Sequence, residues 1–170
     1  MSIDKFYGKY RGMVLNNIDP ERRGRIQVQV PDVSNLIPSS WALPCLPFTG
    51  QQMGFFAVPA IGAGVWVEFE QGNPDFPIWS GCWYGFGTEI PALIQPGMPP
   101  LSGVIVQTQL QNTLMISDAP GPVGGILLKT TTGAMIAIND VGITISNGKG
   151  AVITMTGPIV DVNAGALTIT

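Results

Sequence analysis

The sequence predicts an all-β protein in two parts, a small N-terminal barrel followed by an elongated β-rod. Three observations carry that prediction. Glycines at Gly125, Gly133, Gly142, Gly150, Gly157 and Gly165 recur every seven to nine residues, with apolar and polar side chains alternating between them. No stretch shows helical periodicity, and Gly 22 with Pro 15 beside 45% hydrophobic residues calls for many short strands joined by tight turns. Charge also drains away along the chain, because Asp118, Lys129, Asp140, Lys149 and Asp161 are the only ionisable side chains after Pro100. A segment so poor in charge needs its strands closed against one another to stay soluble.

The N-terminal elements follow in order. Tyr7 to Ile18 alternates and ends in a turn at Asp19-Pro20. Arg25 to Val30 places Ile26, Val28 and Val30 on one face and Gln27 and Gln29 on the other, and Pro31 stops it. Trp41 to Leu46, Val65 to Phe69 and Ile78 to Trp83 are further short strands, with a long loop rich in Gly and aromatics from Gly50 to Gly64. Five short strands without helices suggest a closed barrel of the oligonucleotide/oligosaccharide-binding (OB) type. Trp41, Trp66, Trp79 and Trp83 are expected to fill that barrel or its seam, a stacking role toward a ligand being the other reading.

In the tail, Ile126–Leu128, Ile136–Ile138, Val141–Ile145, Ala151–Met155, Val160–Val162 and Leu167–Ile169 each set apolar side chains on one face of a short strand. A fixed period of this kind marks a stacked architecture, in which each repeat leaves its apolar face to be covered by a neighbour. Three chains cover it better than one. Wrapped about a common axis, Ile136, Ile138, Ile143, Ile145, Ile153, Met155, Val160 and Val162 would form a trimer core, each strand pairing with another chain. At about 4.8 Å per layer, the shaft would be on the order of 30–40 Å long. The expected organisation is a barrel at 1–85, a Pro/Gly-rich linker at 86–103 running as an extended strap, and a shaft at 104–170.

Much chemistry is excluded. The chain has no His, which removes the commonest general base and metal ligand, so no catalytic, cofactor or metal site is expected. Glu68 and Glu70, two apart on a strand, read as a solvated edge or subunit contact. Cys45 and Cys82 read as buried free thiols, with a disulfide or metal site as the alternative. A net charge of -3 gives no general attraction to nucleic acid or anionic membranes. Arg22, Arg23 and Arg25 form the one basic cluster, too small for many phosphate contacts, although a nucleic-acid- or glycan-binding barrel with an oligomerising tail stays open as the alternative. No apolar signal segment follows Met1, so assembly in the cytoplasm is expected.

The runs Gly12–Pro20, Gly24–Pro31, Gly64–Gly81 and Trp83–Gly85 resemble the barrel of the phage baseplate assembly protein V and VgrG group, the central spike proteins of contractile tails and related injection machines. The strongest piece is Glu68 to Gly81, where a turn at Gly72–Asp75 joins two strands and Pro77 opens the second. The resemblance implies an OB-fold barrel followed by an intertwined trimeric β-helix. It also implies a structural, non-enzymatic homotrimer in a virion tail or phage-tail-like particle, touching the target membrane only transiently as it punctures the envelope. A hydrolase domain or fused hub has no room here, which implies a separate hub protein; Arg22, Arg23, Phe55 and Phe56 are candidate contacts for it, a solvated turn being the other reading of the arginines. For the loop Gln51 to Pro59 that carries Phe55 and Phe56, packing over its own barrel is the favoured reading. At the far end the resemblance implies a PAAR-type tip protein, seated on Leu167, Thr168, Ile169 and Thr170.

Overall fold

The computed structural model describes residues 4–97 and 101–169. The chain divides into two compact units, Met1–Gly87 and Thr88–Thr170.

In the first unit, β1 (Tyr10–Asn16), β2 (Gln27–Gln29) and β3 (Leu43–Pro44) are followed by a small hairpin of β4 (Thr49–Gly50) and β5 (Met53–Gly54), then by β6 (Gly64–Phe69) and β7 (Pro77–Trp83). Five of these form one sheet in the order β2-β1-β6-β7-β3, with β3 and β7 parallel. A bridge between Ile26 and Ala42 joins the two free edges and closes the barrel. This is the OB arrangement. Strand alternation fills it, since Val65, Val67 and Phe69 of β6 are buried while Trp66 and Glu68 between them are not. Val14, Ile26, Val28, Val30, Ala42 and Trp79 complete the core. Each buried aliphatic side chain contributes roughly 1.5–3 kcal/mol. The Trp79 indole N–H donates to the carbonyl of Gly24 at 3.1 Å, tying the approach to β2 onto β7.

One expectation about this unit is corrected and another extended. Only Trp79 of the four tryptophans is buried in the barrel, because Trp66 and Trp83 lie on the outer face of their strands and Trp41 is half-buried. Pro31 does stop β2, but it also opens a one-turn helix α1 (Pro31–Ser34), where its missing N–H costs nothing.

The second unit is one antiparallel meander. Strands β8 (Gly103–Gln107), β9 (Thr113–Ser117), β10 (Gly125–Lys129), β11 (Met135–Asn139), β12 (Gly142–Ser146), β13 (Val152–Thr156), β14 (Ile159–Val162) and β15 (Leu167–Ile169) pair in sequence order into an eight-stranded sheet. Each inner strand therefore finds both hydrogen-bonding neighbours in its own chain. Pairing of every strand with another chain, expected from the repeat, is replaced by this ladder because turns of a few residues return the chain directly beside itself.

Two glycines show why the ladder is punctuated as it is. Gly125 (φ +77°) and Gly142 (φ +149°) begin β10 and β12, and a Cβ there would lie 2.0 Å from the Ile138 oxygen and 2.1 Å from the Met155 oxygen. Only glycine fits both the space and the dihedral.

The linker is not an extended strap. It turns at Gly87–Glu89 and Ala92–Gly97, and Ile94 is buried against β8, where a Cβ on Gly103 would meet the Ile94 Cδ1 at 2.5 Å. Burying Ile94 on the sheet outweighs the extended preference of the prolines. Residues 98–100, which belong to the same expected linker, lie outside the described residues.

Candidate trimerisation face and partner-facing ends

Directly opposed residues of an antiparallel pair project to the same side. The register therefore assembles two columns across the sheet. One runs through Val104, Ile116, Ile126, Ile138, Ile143, Met155 and Val160, and the other through Val106, Leu114, Leu128, Ile136, Ile145, Ile153, Val162 and Leu167. Every member is aliphatic or Met. All eight residues expected in a trimer core fall on this one face, joined by β8 to β10 residues that the sequence reading left out. In the single chain Ile136, Ile138, Ile145, Ile153 and Met155 remain 37–42% exposed. A patch this long and this free of polar side chains is beyond what a soluble monomer ordinarily shows to water.

The reverse face differs. It mixes Lys129, Thr144, Thr154 and Asp161 with Leu127, Met135, Ala137 and Val152, while Met115, Thr113 and Ser117 are buried at the earlier strands. At the lateral margins, side chains of one turn hold the backbone of the next. Asn112 Oδ1 accepts from the Thr131 N–H at 3.1 Å, Asp140 Oδ2 from Gly121 at 2.9 Å and Asn163 Oδ1 from Val152 at 2.9 Å. These links stiffen the sheet across its strands.

At the C-terminal end, β15 pairs with β14 along one edge and has no partner on its other edge among the described residues. Leu167 is exposed there. Thr168 and Ile169 belong to β15 by backbone pairing, and Thr170 lies outside the described residues.

The residues expected to meet a hub are only partly free. Asp19 Oδ1 accepts from Arg25 Nε at 3.0 Å and Nη2 at 2.7 Å, and its other oxygen accepts from the Arg23 and Arg25 backbone N–H groups. The Arg25 side chain holds the Asp19 carboxyl far below the ordinary carboxylate range, with these backbone N–H groups acting in the same direction and desolvation opposing them. Glu21 pairs with both Arg23 and Arg25, at 3.0 and 3.1 Å. The Arg25 guanidinium also lies 5.6 Å from the Trp41 ring centre. The basic cluster is thus neutralised from within, and Arg22 alone of the three has no ion partner among the described residues. Phe55 and Phe56 are exposed, with the edge of the Phe56 ring against Gly24.

Other readings change with the geometry. Cys45 and Cys82 are free thiols and are exposed rather than buried. Glu68 and Glu70 do not share a strand face, because β6 ends at Phe69 and Glu70 begins a 3-10 turn; Lys9 pairs with Glu68 at 2.5 Å. A feature not anticipated is Arg11, which lies opposite Trp66 and sits 5.7 and 5.1 Å from the ring centres of Trp66 and Trp83. Strand alternation around Val65 and Val67 was the available signal that Trp66 points outward.

Two family models match in chain order. Residues 10–84 match the type VI secretion system/phage-baseplate injector OB domain. Residues 103–168, which contain the aliphatic face, match the phage baseplate V C-terminal trimerisation domain. The chain belongs to the phage baseplate V and VgrG family of spike proteins. A relative in that family, the actin cross-linking toxin VgrG1 of Vibrio cholerae serotype O1, is 37% identical over 68 residues, covering 38% of this chain. The chain spans 6% of that relative's length. As a baseplate V-type chain it is a structural, trimerising component of a virion tail or injection-system particle.

Proposed function

We propose that the chain is the non-enzymatic central spike of a contractile baseplate, a homotrimer that links a separate hub to a PAAR-type tip protein and helps to puncture the target envelope. The observation that carries this is the uninterrupted aliphatic face across eight strands inside a trimerisation domain. Three such faces turned inward would bury Ile136, Ile138, Ile143, Ile145, Ile153, Met155, Val160 and Val162 against their symmetry mates. Hydrogen bonding from layer to layer, together with the turn-to-turn links, would let the shaft carry compressive load without chemical turnover. The open edge of β15, with Leu167 beside it, is the surface offered to the tip; strand addition or capping there would satisfy its free backbone groups. Assembly would take place in the cytoplasm before the particle is released.

The test is to compare particles made with the wild-type chain, without it, and with Leu167→Asp. Wild-type particles should show a central density below the baseplate and permeabilise target cells. Particles lacking the chain should lose both. Leu167→Asp, in the last layer of the inward face, should fray that layer alone, keep the rest of the shaft density and lose the tip protein, reducing its occupancy by about tenfold. Particles that lack the chain yet still permeabilise targets would contradict the proposal.

A further inference from the structure

The two ends of the barrel differ in chemistry. Strand β7 finishes at Trp83 beside Gly64, so the chain continues from the end that also carries the self-neutralised arginines. At the opposite end, where Phe69 pairs with Pro77, a groove opens between the segment after α1 and the turn joining β6 to β7. Its lining includes Val33, Phe69, Ile37 and Pro74. Ile37 is 69% exposed and the neighbouring Phe76 58% exposed.

Both sides of this groove are held in place. The Ser40 hydroxyl donates to the Asp75 carbonyl at 2.7 Å, fastening one side to the other. The Ser34 hydroxyl donates to the Ile37 carbonyl at 2.9 Å, and the Glu70 N–H donates to the Phe76 carbonyl at 2.9 Å. The apolar surface is thus preorganised, which lowers the ordering cost of binding.

Charge selects the occupant. Asp75 lines the groove, and Asp32 and Glu70 adjoin its lining residues Val33 and Phe69 in the chain; all three are exposed, and none of them takes part in the ion pairs formed among the described residues. Asp4 and Lys5, just before the Phe6 N–H that donates to the Gly72 carbonyl, carry opposite charges. The rim is therefore negative around an apolar centre. We infer that this groove docks another particle protein through an apolar anchor flanked by lysine or arginine, and that it, rather than Arg22, Arg23, Phe55 and Phe56, is where the barrel meets its hub. The inference rests on the reading that a separate hub exists.

Zero-length carboxyl-to-amine crosslinking of intact particles, followed by peptide mapping, tests it. Asp32, Glu70 or Asp75 should join to lysines of one other particle protein. In parallel, Phe76→Asp and Ile37→Asp should reduce incorporation of the folded trimer into particles by about tenfold, and Phe56→Asp by less than twofold. Because these side chains are exposed, the variants should keep the wild-type native mass. Crosslinks to a second protein that map instead to the Arg22–Phe56 end overturn the groove assignment and leave a separate hub standing. Crosslinks to sister copies alone, or none from the barrel to any other protein, overturn both.

Discussion

At the scale of single residues, the glycines that open strands do more than turn the chain. Gly142 lets the Met155 carbonyl approach to a distance no Cβ tolerates, at a dihedral of +149° that L side chains rarely adopt. Gly142→Ala should therefore destabilise the second unit by about 2 kcal/mol or more per copy, read as a lowered guanidine midpoint for trimer dissociation and unfolding. A midpoint equal to wild type would show that β12 does not lie so close to β13. The ladder of glycines was legible in the sequence, but its cause was not, since close approach depends on register. The same holds for Trp66 and Trp83. Their size suggested filling a barrel, whereas their outward position follows from which strand face closes inward, and Arg11 then covers them.

At the scale of elements, β10 to β15 could be read directly because glycine or a polar turn separates clean alternations. Strands β8 and β9 escaped for two reasons. Leu114, Met115 and Ile116 form a continuous apolar run with no period of two. In the turn between them Gln111 takes the positive φ of +65° that glycine supplies elsewhere, so the usual marker is missing. The linker was misread because proline allows a turn as readily as an extension, and only the packing of Ile94 decides between them. The two faces of a strand supply a paired test. Ile138→Asp would place three carboxylates against apolar neighbours in the trimer and should abolish it, whereas Thr144→Lys, on the reverse face, should leave the native mass unchanged. Equal tolerance of both substitutions would mean that this face is not the one sister copies cover.

At the scale of the whole molecule, the order of the two parts was legible because composition changes so abruptly after residue 100. The expected route to a closed shaft needed revision, since each chain makes its own sheet ladder and leaves an apolar face, rather than inner strand edges, uncovered in the single chain. On the proposed reading, that face makes the assembly obligatory. Its side chains lose most of their stabilisation if exposed to water, so the second unit should have little independent stability as a monomer. The most direct measurement is the native mass of the full chain on dilution, followed alongside its β-sheet signal. A species of three copies should persist to nanomolar concentration and lose its sheet signal only when it dissociates. A single copy that keeps the full β signal, with the aliphatic face open to water, would contradict burial of that face by two sister chains.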